Sequence, residues 1–213
     1  MQYVCSWSGG KDSCLALHRA VEEWGKPQYL LSMLAEEGTH SRSHGIPRRI
    51  LEDQAEALET VLRYGVASWD DYERVFVEAL QGMASEGVST GVFGDLDLDE
   101  HRAWEEMVCS RAGMQAELPL WHEAHEALAE EFLAAGYEAI VVTVRTDALP
   151  EEFLGERYTR RFLARLRSVG VDVAGEGGEF HTLVLDGPLF RRPVRHDIVG
   201  VRRFPGYAVL ELS

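Results

Sequence analysis

Two hydrophobic periods alternate along the first half of this chain. Gln2 to Trp7 is short and mostly apolar, the mark of a buried strand, whereas Cys14, Leu17, Val21 and Trp24 recur near helical spacing. Gly25-Lys26-Pro27 then supplies a C-cap glycine followed by a helix-breaking proline. Strand patterns return at residues 29–34, 66–69, 87–95 and 115–120. Helical patterns lie between them: from Pro47 to about Tyr64, from Tyr72 to about Gly82 behind an Asp71 cap, and from an Asp99 cap through Trp104, Met107 and Val108. This alternation predicts βα units around a parallel sheet. After residue 121 the pattern changes. Helices over about 123–135 and 156–169 stop at Gly136 and Gly170, and apolar strands occupy 137–144, 180–185 and 207–212. The fold class is therefore α/β, a Rossmann-like parallel sheet flanked by helices (residues 1–121), with a smaller C-terminal α+β domain (122–213).

The first strand and first helix are joined by Ser8-Gly9-Gly10-Lys11-Asp12-Ser13. A strand, a glycine turn and a helix N-terminus together make an anion site, because unpaired N–H groups and the helix dipole both point at the turn. Glycine lets the backbone approach closely, and Lys11 adds positive charge. This is not a Walker A loop, since Cys5 and Asp12 stand where that motif needs a glycine and a hydroxyl residue. Composition narrows the partners. With 21 Lys and Arg against 36 Asp and Glu the formal net charge is −15, which argues against unaided binding to nucleic acid or an anionic membrane. Three scattered cysteines (5, 14 and 109) form no CxxC pair and read as reduced, buried thiols. No signal peptide and no membrane-length apolar run are present, so a cytoplasmic location is expected.

The second informative stretch is Gly175-Glu176-Gly177-Gly178-Glu179-Phe180-His181-Thr182, two carboxylates and an imidazole on a glycine turn at a strand entrance. Such groups can hold Mg²⁺, accept hydrogen bonds from an amine, or move protons. The clustered arginines 157, 160, 161, 165 and 167 read as a solvated helical face, and His101 and Arg102 as a solvated helix start.

SGGKDS resembles the PP-loop of the ATP pyrophosphatase superfamily, which cleaves ATP to AMP and pyrophosphate. With His44-Gly45-Ile46-Pro47, Gly94-Asp95-Leu96-Asp97-Leu98-Asp99-Glu100-His101 and the GEGGEFHT–LVLDGP run, the chain resembles the diphthine–ammonia ligase family from about residue 3 to residue 195. That resemblance implies an ATP-dependent ligase that adenylates a carboxylate and lets ammonia displace AMP. It implies ATP and Mg²⁺ as cofactors, with Ser6, Ser8, Gly9, Gly10, Lys11, Asp12 and Ser13 around the phosphates. Met33 and Leu34 would lie against adenine, His44 over the nucleotide, and Asp95 at the ligand edge of the sheet and on the metal. Lys11, Glu176, Glu179 and His181 are the expected catalytic residues. Diphthamide-forming members carry glutamate where this chain has His181. A bacterial subgroup associated with corrinoid salvage has the histidine, but usually asparagine where this chain has Gly177. The acceptor that the resemblance implies would be a carboxylate of a protein side chain or a small molecule, and a homo-oligomer is compatible with the sequence. A tRNA-modifying enzyme would want a basic surface or sulfur-handling cysteines, and a non-catalytic ATP sensor would leave Glu176, Glu179 and His181 without a purpose.

Overall fold

The computed structural model describes residues 1–213. Its first half alternates β1 (Tyr3–Ser6), α1 (Lys11–Trp24), β2 (Tyr29–Leu34), α2 (Arg48–Ala57), β3 (Val61–Val66), α3 (Tyr72–Ser85), β4 (Thr90–Val92), α4 (Asp99–Arg111) and β5 (Gln115–Glu117). The five strands form one parallel sheet in the order β3-β2-β1-β4-β5, with Cys5 of β1 opposite Leu30 on one side and Val92 on the other. Strand order reverses at β1, and open α/β sheets bind ligands outside the carboxyl ends of the strands at such a point. The SGGKDS turn leaves β1 there.

The second half contains α5 (His125–Ala134), β6 (Glu138–Arg145), a short 3₁₀ turn at Glu151–Phe153, α6 (Arg160–Ser168), β7 (Phe180–Asp186), β8 (Ile198–Phe204) and β9 (Tyr207–Leu212). These four strands make an antiparallel sheet in the order β7-β6-β9-β8. Thr159 caps α6, its hydroxyl oxygen accepting from the Phe162 N–H at 3.3 Å. The α6 arginines are spent on surface acids, Arg160 on Glu130 and Arg167 on Glu126, as a solvated face would be.

Several expected boundaries shift. The helix beginning after Pro47 stops at Ala57 rather than near Tyr64, because Glu59 takes a left-handed φ of 52° and the Thr60 N–H turns back to the Ala55 carbonyl. Val61 to Val66, mostly exposed on an edge, then pairs in parallel with the whole of β2. Asp71 does not cap α3 with its side chain; it pairs with Arg74, while Ser68 Oγ accepts the Asp71 N–H. Asp99 lies inside the first turn of α4, where an acid complements the dipole without capping it. β8 is an additional strand, forming a hairpin with β9.

The larger of two apolar cores runs from Tyr3 of β1 and Leu17 of α1 to Val141, Leu183 and Leu210 of the second sheet, and the smaller lies around Leu31, Phe76 and Val108. Fully buried Gln54 of α2 ties the polar seam. It accepts from Trp7 Nε1 at 2.9 Å and donates to the carbonyls of Gly9 at 3.0 Å and Val184 at 2.7 Å. The Val184 N–H also reaches Gly9 O at 2.9 Å, so β7 is hydrogen-bonded directly to the glycine turn. Replacing Gln54 by Leu strands the Trp7 N–H in a dry interior. The expected cost is on the order of 3 kcal/mol, read as a lower denaturant midpoint at unchanged m-value; an unaltered midpoint would contradict the role assigned to this bridge.

Candidate active site

The turn after β1 is held open to an anion and closed to side chains. Gly9 adopts φ +82°, and a Cβ there would lie 2.8 Å from Gln54 Oε1. A Cβ at Gly10 would meet the His44 ring at 2.6 Å. Ser8 Oγ and Ser13 Oγ are 3.0 Å apart, and the Gly10 N–H donates to Ser8 Oγ at 3.2 Å. The Lys11 N–H is taken by Thr182 Oγ1 at 3.0 Å, so β7 closes one side of the helix start. Gly94, at the exit of β4, abuts the other side, where a Cβ would lie 2.7 Å from Asp12 C and Ser13 N.

Lys11 is buried at its stem and donates through Nζ to both Asp12 oxygens, at 2.9 and 2.7 Å, and to the Ala174 carbonyl. The ammonium also lies 5.6 Å from the Phe180 ring. Burial pushes the Asp12 carboxyl above its ordinary range against the pull of Lys11. Across the same space Asp95 accepts from the His101 ring nitrogen at 2.6 Å. Burial works against the Asp95 carboxylate, but its hydrogen bonds to His101 and Glu105 hold it below the usual range. Glu105, almost fully buried, is driven the other way by desolvation and by Asp95, to about 11. Of these two neighbouring acids, Glu105 is the one whose charge burial opposes and Asp95 the one that His101 supports. Glu176 reaches over from the second sheet, its Oε1 accepting the Leu96 N–H at 3.1 Å, and burial raises its carboxyl.

His44 and His181 stack at 4.4 Å between ring centroids, with His44 Nδ1 3.1 Å from Thr182 O. Desolvation, with Lys11 nearby, lowers His181 to about 4, and burial keeps His44 well below its usual value too. Burial thus favours the neutral form of both rings, as hydrogen-bonding groups more than cations.

Ser6, Ser8, Lys11, Asp12, Ser13, His44, Asp95, Glu176 and His181 thus line one cavity of about 510 Å³. Met33 lies beside it, in a crevice shared with Ser6, Ser8 and His44. Two expected residues fall elsewhere. Leu34 is fully buried and offers a nucleotide no surface. Glu179 folds back over Gly177, with Oε1 where a Gly177 Cβ would come within 2.5 Å, and does not line the cavity. Its place just before β7 turns the side chain away from the face that carries Thr182 to Lys11.

Residues the sequence did not single out complete the wall: Tyr72 and Phe76 one turn apart on α3, Phe93 after β4, and Trp104 and Glu105 on α4. The i,i+4 spacing of Tyr72 and Phe76 marks an apolar stripe, which reads as core. His101 is exposed at the helix start, as expected, and also holds Asp95 at the edge of the cavity. No three His, Cys, Asp or Glu side chains converge as a metal cage. Mg²⁺ is ordinarily held by one or two carboxylates plus substrate phosphates. The oxygens of Asp95 and Asp12 on this wall fit an ion that arrives on a nucleotide.

A phosphate-cradling turn at the switch point of a parallel sheet, closed by a second sheet carrying polar groups, defines a nucleotide-binding α/β protein of the PP-loop type. The diphthamide synthase N-terminal domain matches residues 1–116 and the diphthamide synthase C-terminal domain residues 124–205, so the chain belongs to the diphthamide synthase family. It is similar to the diphthine–ammonia ligase of Rattus norvegicus, at 29% identity over 91% of this chain and 82% of that one. The Homo sapiens diphthine–ammonia ligase is 26% identical over the same shares, and that of Saccharomyces cerevisiae 28% identical over 90% of this chain and 34% of the yeast protein. Among solved structures, a protein described as a predicted subunit of tRNA methyltransferase from Methanocaldococcus jannaschii aligns with a TM-score of 0.47 at 16% identity. That alignment covers 88% of this chain and 98% of the other. No helix is long and apolar enough to cross a membrane.

The raised Glu105 carboxyl gives a stability signature. A carboxyl raised in the folded state contributes stability that is full below its ordinary value of 4.5 and declines as pH rises towards about 11. Glu105→Gln removes that decline while keeping a donor for Asp95. Its melting temperature should exceed that of the native chain by more at about pH 8 than at about pH 5. An advantage that does not grow with pH would contradict the assignment.

Proposed function

We propose that this chain is an ATP-dependent ligase that converts a carboxylate to an amide through an acyl adenylate, releasing pyrophosphate and then AMP. Membership of a family whose relatives are named diphthine–ammonia ligase supports the ligase class. The observation that carries the two-step chemistry is the meeting, in one cavity, of the phosphate turn and the Glu176–His181–Thr182 end of the second sheet. Residues 1–121 would supply the nucleotide half of the site and residues 122–213 the acceptor half.

A carboxylate is a poor electrophile, so its oxygen must first become part of a leaving group. An acceptor oxygen attacks the α-phosphorus, the bond from that phosphorus to the α,β-bridging oxygen breaks, and pyrophosphate departs with that oxygen into the Ser8–Ser13 turn. Fixed N–H groups and Lys11 stabilise charge that develops there. The nitrogen of ammonia then attacks the acyl carbon, AMP leaves with the acyl oxygen, and the excess proton passes to a carboxylate. Glu176 would take that proton, since it lines the cavity and burial raises its carboxyl. Mg²⁺ carried on the phosphates would neutralise part of their charge, held by Asp95 or Asp12. His181, neutral and stacked on His44, is placed to hydrogen-bond the acceptor or the α-phosphate. All three cysteines are buried and free, and none lines the cavity, which leaves sulfur transfer without a thiol.

The test follows the fate of α-labelled ATP incubated with Mg²⁺, ammonium and a cell extract. Acceptor-dependent AMP and pyrophosphate are expected, and Lys11→Ala should slow their formation by roughly 10²–10³-fold. ADP and phosphate as products, or AMP formation indifferent to Lys11, would overturn this reading.

A further inference from the structure

A second and larger cavity, of about 1,080 Å³, lies on the far side of the His44–His181 stack. Its floor is the polar loop after β2, and its wall is the β8–β9 hairpin. The two cavities share Ser43, Trp69 and His181 in their linings, so they adjoin at these residues, the neck between them. The hairpin presents apolar surface to it: Val199, Phe204 and Tyr207 are 61%, 50% and 41% exposed.

Its charge is what identifies an occupant. Arg202 is paired with Glu211 of the same hairpin at 2.8 Å, and Glu37 lies exposed. Arg42 is different. In a chain of net charge −15 it has no carboxylate partner. Its guanidinium stacks 4.8 Å from the centre of the Trp69 ring, one N–H donates to the Ala67 carbonyl, and its buried Nε has no partner. Arg42 also lines the crevice behind Ser6 and Ser8, and so stands where the second cavity comes nearest to the phosphate turn. A planar guanidinium pinned on an indole, with donor capacity unspent, is a receptor for a carboxylate.

The geometry points to this cavity as the acceptor site, taking a small carboxylic acid with an apolar or aromatic body. Its carboxylate would sit on Arg42 and its body on Trp69 and the β8–β9 hairpin, with the reacting oxygen facing the nucleotide through the neck at Ser43 and His181. The inference rests on the ligase reading and adds the acceptor's chemistry. The volume matches the upper end of small-ligand pockets, about 300–1,000 Å³, and the one arginine without a carboxylate partner in the wall matches the one charge the acceptor must carry.

The experiment measures binding without turnover, so its failure is separable from failure of the ligase reading. Naphthylacetate and its neutral amide, naphthylacetamide, serve as probes, titrated calorimetrically against the full chain, with ATP affinity measured alongside. The acid should bind about tenfold more tightly than the amide. Arg42→Gln should erase that preference while leaving the affinity for the amide within about twofold. Arg42→Lys should restore part of it, which separates lost charge from a damaged fold. Phe204→Asp, at an exposed position, should weaken acid and amide alike. Equal binding of acid and amide to the native chain, no binding of either, or an Arg42→Gln variant that loses ATP and keeps the acid would each overturn the assignment. So would an extract in which the acceptor supporting AMP formation is retained on dialysis.

Discussion

Everything at this site depends on how closely backbone can approach the turn after β1. Three glycines allow it: Gly9 against Gln54, Gly10 against His44, and Gly94 against the first turn of α1, each at a distance no side chain tolerates. With that approach, the Gly9 carbonyl and the Lys11 N–H become hydrogen-bonding partners of β7, and the second sheet is stitched to the first at the anion-binding turn itself. The shared core between the sheets then follows from the same contact. Lining from both sheets is consequently a property of the fold, and chemistry in the cavity is inseparable from their docking.

The cavity is electrostatically divided. Lys11 and the helix start form a positive side, with Asp12 as immediate counter-charge. Asp95, Glu105 and Glu176 form an acidic side, in which burial raises the Glu105 and Glu176 carboxyls. Phosphate and a nitrogen nucleophile make opposite demands on charge, and a divided cavity suits both. The neutral histidine pair stands between this cavity and the larger one beside it.

Much of this was legible in the sequence for local reasons. The strand, glycine turn and helix of residues 2–24 announce themselves by period, and alternation of helical and strand patterns yields the parallel sheet. What escaped depends on tertiary placement. Val61 to Val66 is an exposed edge strand, so its apolar pattern is weak and runs on from the helix before it. Leu34 and Glu179 sit beside the right elements but on the wrong faces, one in the core and one turned back over Gly177. Glu105 looks like any helical surface acid until α4 buries it against Asp95. Tyr72, Phe76 and Trp104 carry the period of a packed helix face, and only the sheet's open end turns that face into a wall.

For this chemistry the nucleotide's α-phosphorus would face the second sheet's polar groups while its outer phosphates occupy the glycine turn. A crystal structure with Mg²⁺ and α,β-methylene-ATP would reveal that pose. The β- and γ-phosphates should lie on Ser8 to Ser13, with the α-phosphorus turned towards His181 and the neck at Ser43. Phosphates bound away from that turn, or a γ-phosphorus in the position facing His181, would contradict it.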